Sequence, residues 1–194
     1  MNNPEVLLMK GEVLMAPIPD FIDEYHLPPG EHICSFEEVE ERFLNTDSRK
    51  KVWSDFNGLY DRLCTLGIKP KSIVVDGSFV TGRKDPGDVD FGALFLPSVV
   101  KAALTNIQDK YDKDAVQILT TPTQQNQSLI RTLFGTHMLV APNEHGLRQI
   151  SKLFRTGGEQ FGKLRPPDPK RDPDWVTIPK EKGILRVNLD EVGG

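Results

Sequence analysis

The chain between Ile73 and Phe91 leaves the fewest folding options. Ile73-Val74-Val75 is a short, β-branched apolar run suited to a buried strand. It ends at Asp76-Gly77-Ser78, where glycine permits a sharp turn that leaves backbone amides unpaired. Free amides in such a turn can cradle an anion such as phosphate. After a loop, a second apolar run opens with Asp88-Val89-Asp90-Phe91. On a strand, side chains two apart share a face, so Asp88 and Asp90 point one way and Val89 and Phe91 point the other way, into a core. A hard divalent cation takes oxygen ligands, often one or two carboxylates together with substrate phosphates. The stretch therefore predicts a phosphate cradle, Gly77 and Ser78, beside a metal-binding pair, Asp88 and Asp90, on consecutive strands.

Further segments share a pattern with this stretch: Leu27-Pro28-Pro29-Gly30-Glu31-His32, Phe36-Glu37-Glu38 with Arg42-Phe43, Asp76-Gly77-Ser78-Phe79-Val80-Thr81 with Lys84, Pro86, Asp88 and Asp90, and a closing Lys182-Gly183-Ile184. Together they resemble a family of small bacterial nucleotidyltransferase-like proteins. The central part, an apolar residue, Gly-Ser, a spacer and Asp-Val-Asp-Phe, resembles the signature of the nucleotidyltransferase superfamily with its polymerase-beta-like fold. The resemblance runs from about residue 20 to residue 100 and returns at the C-terminus.

It implies a minimal nucleotidyltransferase-like α+β fold, a small mixed β-sheet with helices mainly on one face. It also implies Mg2+ (or Mn2+) at Asp88 and Asp90, and a nucleoside triphosphate whose phosphates meet Gly77, Ser78, Thr81 and Lys84. For Arg83, in the same loop, a plain surface role is as good a reading. Nucleotidyltransferases usually carry a third carboxylate on a later strand, facing the first two. Asp114, at the head of an expected strand over 114–120, is the candidate third catalytic acid. In the frame Val116-Gln117-Ile118, however, the central residue is Gln117. If Gln117 stands at that position, the general base or second metal ligand is missing.

Composition narrows the partners. The 194 residues carry a net charge of about −4, without the basic excess of a nucleic-acid binder, so a polynucleotide acceptor is disfavoured. The two cysteines, Cys34 and Cys64, lack metal-ligand spacing and fit a reducing cytoplasm. No apolar run is long enough to span a membrane.

Along the chain, residues 1–19 read as an N-terminal arm, residues 20–156 as the main domain, and residues 157–194 as a linker with a C-terminal hairpin. Asp20 to His32 reads as an irregular lead-in containing a proline-fixed turn. Ser35 and Glu38 have the spacing of a capping box, which predicts a helix to about Asn45. Val52, Trp53, Phe56, Leu59, Tyr60, Leu63 and Leu66 recur at helical spacing and predict a second helix over 49–66, stopped at Gly67. Further helices are expected over 97–111, from Gln124 to Leu133 and over 142–155, and His137-Met138-Leu139-Val140 as a short strand or a helix end. Arg165 to Pro173 is a proline- and charge-rich linker. Trp175-Val176-Thr177-Ile178 and Ile184-Leu185-Arg186-Val187 predict a terminal β-hairpin. His26, His32, His137 and His145 show no ligand pattern and read as structural or surface residues.

Two functions follow as expectations. One is Mg2+-dependent transfer of a nucleoside monophosphate to a hydroxyl of a protein or small molecule, in a two-metal site completed by Asp114. The relatives named by the resemblance include antitoxin halves of bacterial toxin–antitoxin pairs, so a toxin or defence component is a candidate protein partner. The other is a catalytically degenerate module that binds a nucleotide or partner protein without turnover. The position of Asp114 or Gln117 relative to Asp88 and Asp90 discriminates between them.

Overall fold

The computed structural model describes residues 18–157 and 179–189. Capping and periodicity form the first layer. Helix α1 (Phe36–Phe43) begins at Ser35, whose hydroxyl accepts from the Glu38 amide at 3.2 Å while the Ser35 amide donates to the Glu38 carboxylate at 2.8 Å. This is the expected capping box. Helix α2 (Asp47–Thr65) starts at the Thr46 cap and buries Val52, Trp53, Phe56, Leu59 and Leu63 along one stripe. Trp53 stacks on Phe56 at 4.6 Å and on Phe79 at 5.2 Å, which ties α2 to the turn after the next strand.

Strand β1 (Gly30–Ile33) corrects the expectation of an irregular lead-in there. Strand β2 (Ser72–Asp76) and strand β3 (Asp90–Leu94) follow as expected, antiparallel and joined through a short 3-10 turn, Gly77–Val80. After β3 come α3 (Pro97–Asn106), α4 (Lys110–Thr120), α5 (Gln124–Phe134), β4 (His137–Ala141), α6 (Glu144–Thr156) and β5 (Gly183–Asn188). The strand expected over 114–120 is the helix α4. Its Asp109 cap accepts from the Asp112 amide, and Val116 and Leu119, three apart, are its buried residues. Helical period and cap override the β-branched look of Val116-Gln117-Ile118.

The five strands form one mixed sheet in the order β1-β5-β2-β3-β4. Strand β5 runs parallel to β1 and antiparallel to β2, and β4 runs parallel to β3. Ile184 to Val187 was expected to form one arm of a terminal hairpin. The segment instead lies in the interior of the sheet with both edges paired, while the other expected arm, residues 175–178, falls outside the described residues. Alternation then sorts the faces. Ile73, Val75, Phe91, Ala93, Met138, Leu185 and Val187 join the core shared with α1, α2, α4 and α5. Val74, Leu94, Ala141 and Ile184 pack on the other face against Leu147 and Phe154 of α6. Among the described residues, helices thus lie mainly on one face, with α6 on the other.

The C-terminal strand is therefore part of the core. Leu185 is fully buried. Leu185→Ala is expected to destabilise the fold by about 2–4 kcal/mol, measured by urea denaturation. A loss under about 1 kcal/mol would argue against an interior β5.

Candidate metal and phosphate site

At the end of the sheet beyond α6, one row of side chains crosses three strands. Asp76 on β2 is in register with Asp90 on β3, and Asp90 is in register with His137 on β4. Asp90 shares its face of β3 with Leu94, while Val89 and Phe91 are buried in the opposite core, as the alternation predicts. Asp88 lies just before β3 and is 9% exposed. Strand register thus brings Asp76 beside Asp90, while Asp88, expected on the second strand, lies in the loop that enters it.

Each acid has a basic side chain against it. Lys182 Nζ lies 2.7 Å from Asp76 Oδ1, Arg131 Nη2 lies 2.6 Å from Asp88 Oδ2, and His137 Nδ1 lies 2.9 Å from Asp90 Oδ1. Burial pushes the Asp76 carboxyl above its ordinary range, against the opposing pull of Lys182. Burial and the neighbouring Asp90 charge push Asp88 up as well, and Arg131 and His137 oppose the shift. Despite its ion pair, Asp88 Oδ2 is buried without an aligned hydrogen bond.

The turn is built to come close to these acids. Gly77 has φ +78, and a β-carbon there would lie 2.1 Å from Asp90 Oδ2. Only glycine lets this turn lie on the carboxylate. Ser78 Oγ accepts from the Gly87 amide at 3.4 Å, bridging the turn to the residue before Asp88.

The loop between them is held from behind by Arg49, a residue with no obvious sequence signal. Arg49 lies in the first turn of α2 and is 3% exposed. It donates to the Phe79 carbonyl at 2.7 Å, to the Arg83 carbonyl at 2.7 and 3.1 Å, and to the Thr81 carbonyl. Its guanidinium also sits over the Phe43 and Phe79 rings. Burial lowers its pKa to about 10, so it stays cationic at neutral pH.

The other predicted site residues divide. The Thr81 side chain is buried and donates to the Ser78 carbonyl at 2.7 Å, so it shapes the turn from inside. Lys84 is exposed, and its carbonyl accepts from Thr46 at 3.2 Å. Asp114 and Gln117 are both exposed on α4, so neither stands on the strand next to Asp90. That strand is β4, and the residue in register with Asp90 is His137.

Among the described residues, no group of three or more His, Cys, Asp and Glu side chains is placed to hold a metal ion. The donor set still fits one Mg2+, because hard oxygens from Asp88 and Asp90 suffice when phosphates and water complete the shell. The buried, unaligned Asp88 Oδ2 is the observation that favours this fit.

Lys182 was visible only as part of a motif. Glu181 pairs with Arg155 at 2.6 Å, and the Lys182 amide donates to the Arg155 carbonyl at 3.0 Å, which fixes Lys182 at the end of α6. The Gly183 amide donates to the Leu27 carbonyl, and a β-carbon on Gly183 would lie 2.2 Å from the Pro28 carbonyl oxygen. The Leu27-Pro28-Pro29-Gly30 and Lys182-Gly183-Ile184 motifs are thus one packing unit that delivers a cation to Asp76. Asp76 itself had a signal: it shares the alternation of Ser72 and Val74, and it immediately precedes Gly77.

A family model described as a family of unknown function (DUF6932) matches residues 19–188. The chain belongs to this family. The matched span takes in both ends of the packing unit and all three acids. No curated protein and no solved structure matches the chain.

Two outcomes follow from the charges. A carboxyl whose pKa is raised on folding stabilises the fold below its unfolded value, and that contribution is lost as pH rises through the folded value. Ionised Asp88 therefore costs stability at neutral pH, and Asp88→Asn is expected to raise the melting temperature at pH 7, with the gain shrinking on acidification. A lower melting temperature at pH 7 would contradict the assignment. Arg49→Lys keeps the charge but cannot reach three carbonyls in a fixed fork. It is expected to cost about 2–4 kcal/mol in denaturant unfolding, and a loss under about 0.5 kcal/mol would contradict the clamp.

Proposed function

We propose that this chain is a Mg2+-dependent nucleotidyltransferase, moving a nucleoside monophosphate from a nucleoside triphosphate to a hydroxyl on a protein or a small molecule. The observation that carries the reading is the contact between the Gly77 turn and Asp90, with Asp88 beside it. A phosphate-sized anion and a hard cation call for turn amides beside carboxylates. A bound Mg2+ would supply charge neutralisation at the transferred phosphoryl group and at the departing pyrophosphate.

The chain's own residues do the rest. The Gly77 and Ser78 amides orient the phosphates, and Asp88 and Asp90 fix the cation. Asp90 accepts from His137 Nδ1–H, which leaves Nε2 with a lone pair. His137 then takes the role expected of the third carboxylate: Nε2 accepts the proton of the acceptor hydroxyl as its oxygen bonds to the α-phosphorus and the bond to the β-phosphate oxygen breaks. The net charge of about −4 favours a protein or small-molecule acceptor over a polynucleotide, and a bacterial toxin or defence component is the protein partner the motif suggests.

A second reading has its own observation. Asp76 and Asp88 are already paired with Lys182 and Arg131, and His137 occupies the register position next to Asp90. On that reading the chain binds a nucleotide or a partner protein without turnover.

Calorimetric titration with ATP, GTP, CTP and UTP, with Mg2+ and then with EDTA, separates these from no nucleotide role at all. The expected result is Mg2+-dependent binding of at least one nucleotide, weakened at least about tenfold in Asp90→Asn. Pyrophosphate release that disappears in the Asp88→Ala, Asp90→Ala double variant supports transfer. Binding without release supports the second reading, and no binding in either condition overturns both nucleotide readings.

A further inference from the structure

The ion pair between Arg131 and Asp88 joins two groups of very different exposure. Asp88 is buried at the sheet end, its side chain 13% exposed, whereas the Arg131 side chain is 60% exposed. Arg131 lies in the last turn of α5, and its carbonyl accepts from the Gly135 amide at the helix end, so the backbone is fixed while the guanidinium reaches out through solvent. Its contact on Asp88 Oδ2 is close but not an aligned hydrogen bond. An ion pair with one partner this exposed contributes little net stability and is given up easily. A guanidinium is also suited to phosphate oxygens, which it meets with two parallel N–H donors.

We infer that Arg131 is a displaceable counter-ion: it holds the charge of Asp88 until a divalent cation takes that carboxylate, and it then turns its guanidinium to the phosphates that arrive with the cation. This rests on the proposed cation site at Asp88 and Asp90 and adds a regulator of that site. The exchange keeps the buried carboxylate compensated throughout and gives the phosphates a bidentate donor only after the cation is in place. It also makes a bare cation a poor ligand, because the cation must compete with Arg131, and a cation–phosphate complex a good one, because Arg131 is re-employed. No bond is made or broken; one ion pair is exchanged for another.

The inference predicts opposite effects of one substitution on two probes. Arg131→Gln changes a side chain that is 60% exposed, and its thermal unfolding is compared with wild type before the titrations, which are run well below both midpoints. With Mn2+ alone, followed by electron paramagnetic resonance and calorimetry on the full chain, Arg131→Gln is expected to bind about three- to tenfold tighter than wild type. With inorganic triphosphate titrated in the presence of saturating Mn2+, it is expected to bind about tenfold weaker. Arg131→Lys, which keeps the charge and loses the fork, should resemble wild type for Mn2+ and fall between the two for triphosphate. Equal or weaker Mn2+ binding in Arg131→Gln overturns the inference while leaving the cation site standing. Mn2+ binding by neither protein, or binding that survives Asp88→Asn with Asp90→Asn, overturns the cation site and the inference together.

Discussion

Arg49 reaches from the first turn of α2 into the loop after β2, and its donors meet the carbonyls of Phe79, Thr81 and Arg83. The loop carries the chain from the Gly77 turn to Asp88, and its inward carbonyls would otherwise be buried without donors, each at a cost of about 1–3 kcal/mol. Clamping them from the core side fixes the course of the loop from Phe79 to Arg83. Phe79, stacked on Trp53, anchors the same loop by packing. The site is therefore an extension of the core: the aromatic layer on α2 sets the loop, and the loop sets the distance between the turn and the two acids.

Charge is the second constraint. The row Asp76, Asp90 and His137, with Asp88 beside it, concentrates negative charge where water is largely excluded, and burial raises both Asp76 and Asp88 toward the neutral form. The fold compensates the acids unequally. Lys182, 12% exposed and fixed through Glu181 and Arg155, gives Asp76 a permanent partner. Arg131 gives Asp88 a loose one. Asp76 thus has a fixed partner, while Asp88 keeps a burial cost opposed by an exposed one. Local cost of this kind, tolerated because the surrounding structure fixes it, is a mark of binding sites.

How much of this was legible in the sequence depended on the range of the signal. The capping box at Ser35, the apolar stripe of α2 and the existence of β2 and β3 as consecutive strands were readable, because each rests on local spacing. The strand was expected to include Asp88, but it begins at Asp90, so the two-residue period accounts for Asp90 and not for Asp88. Asp114 was misread because Val116-Gln117-Ile118 looks like a strand in isolation, while the Asp109 cap and the helical period of Val116 and Leu119 decide for a helix. Strand β5 was misread as half of a hairpin because its partners, β1 and β2, lie more than a hundred residues away, where no local pattern reaches. Arg49, Arg131, His137 and Lys182 were invisible as a group for the same reason: four different elements bring them to one end of the sheet. Arg49 carries no motif, since a buried arginine neutralised by carbonyls looks in sequence like any charged residue at the head of a helix.

The account turns on one claim, that the Gly77 turn and the Asp88–Asp90 pair form a single site for a cation–phosphate complex. Crystals grown with Mn2+ and a non-hydrolysable nucleoside triphosphate analogue test it most directly, through anomalous scattering at the manganese edge. The account predicts one manganese peak bonded to Asp88 and Asp90, with phosphate oxygens against the Gly77 and Ser78 amides. A manganese peak elsewhere, or phosphates seated away from the turn, would contradict it.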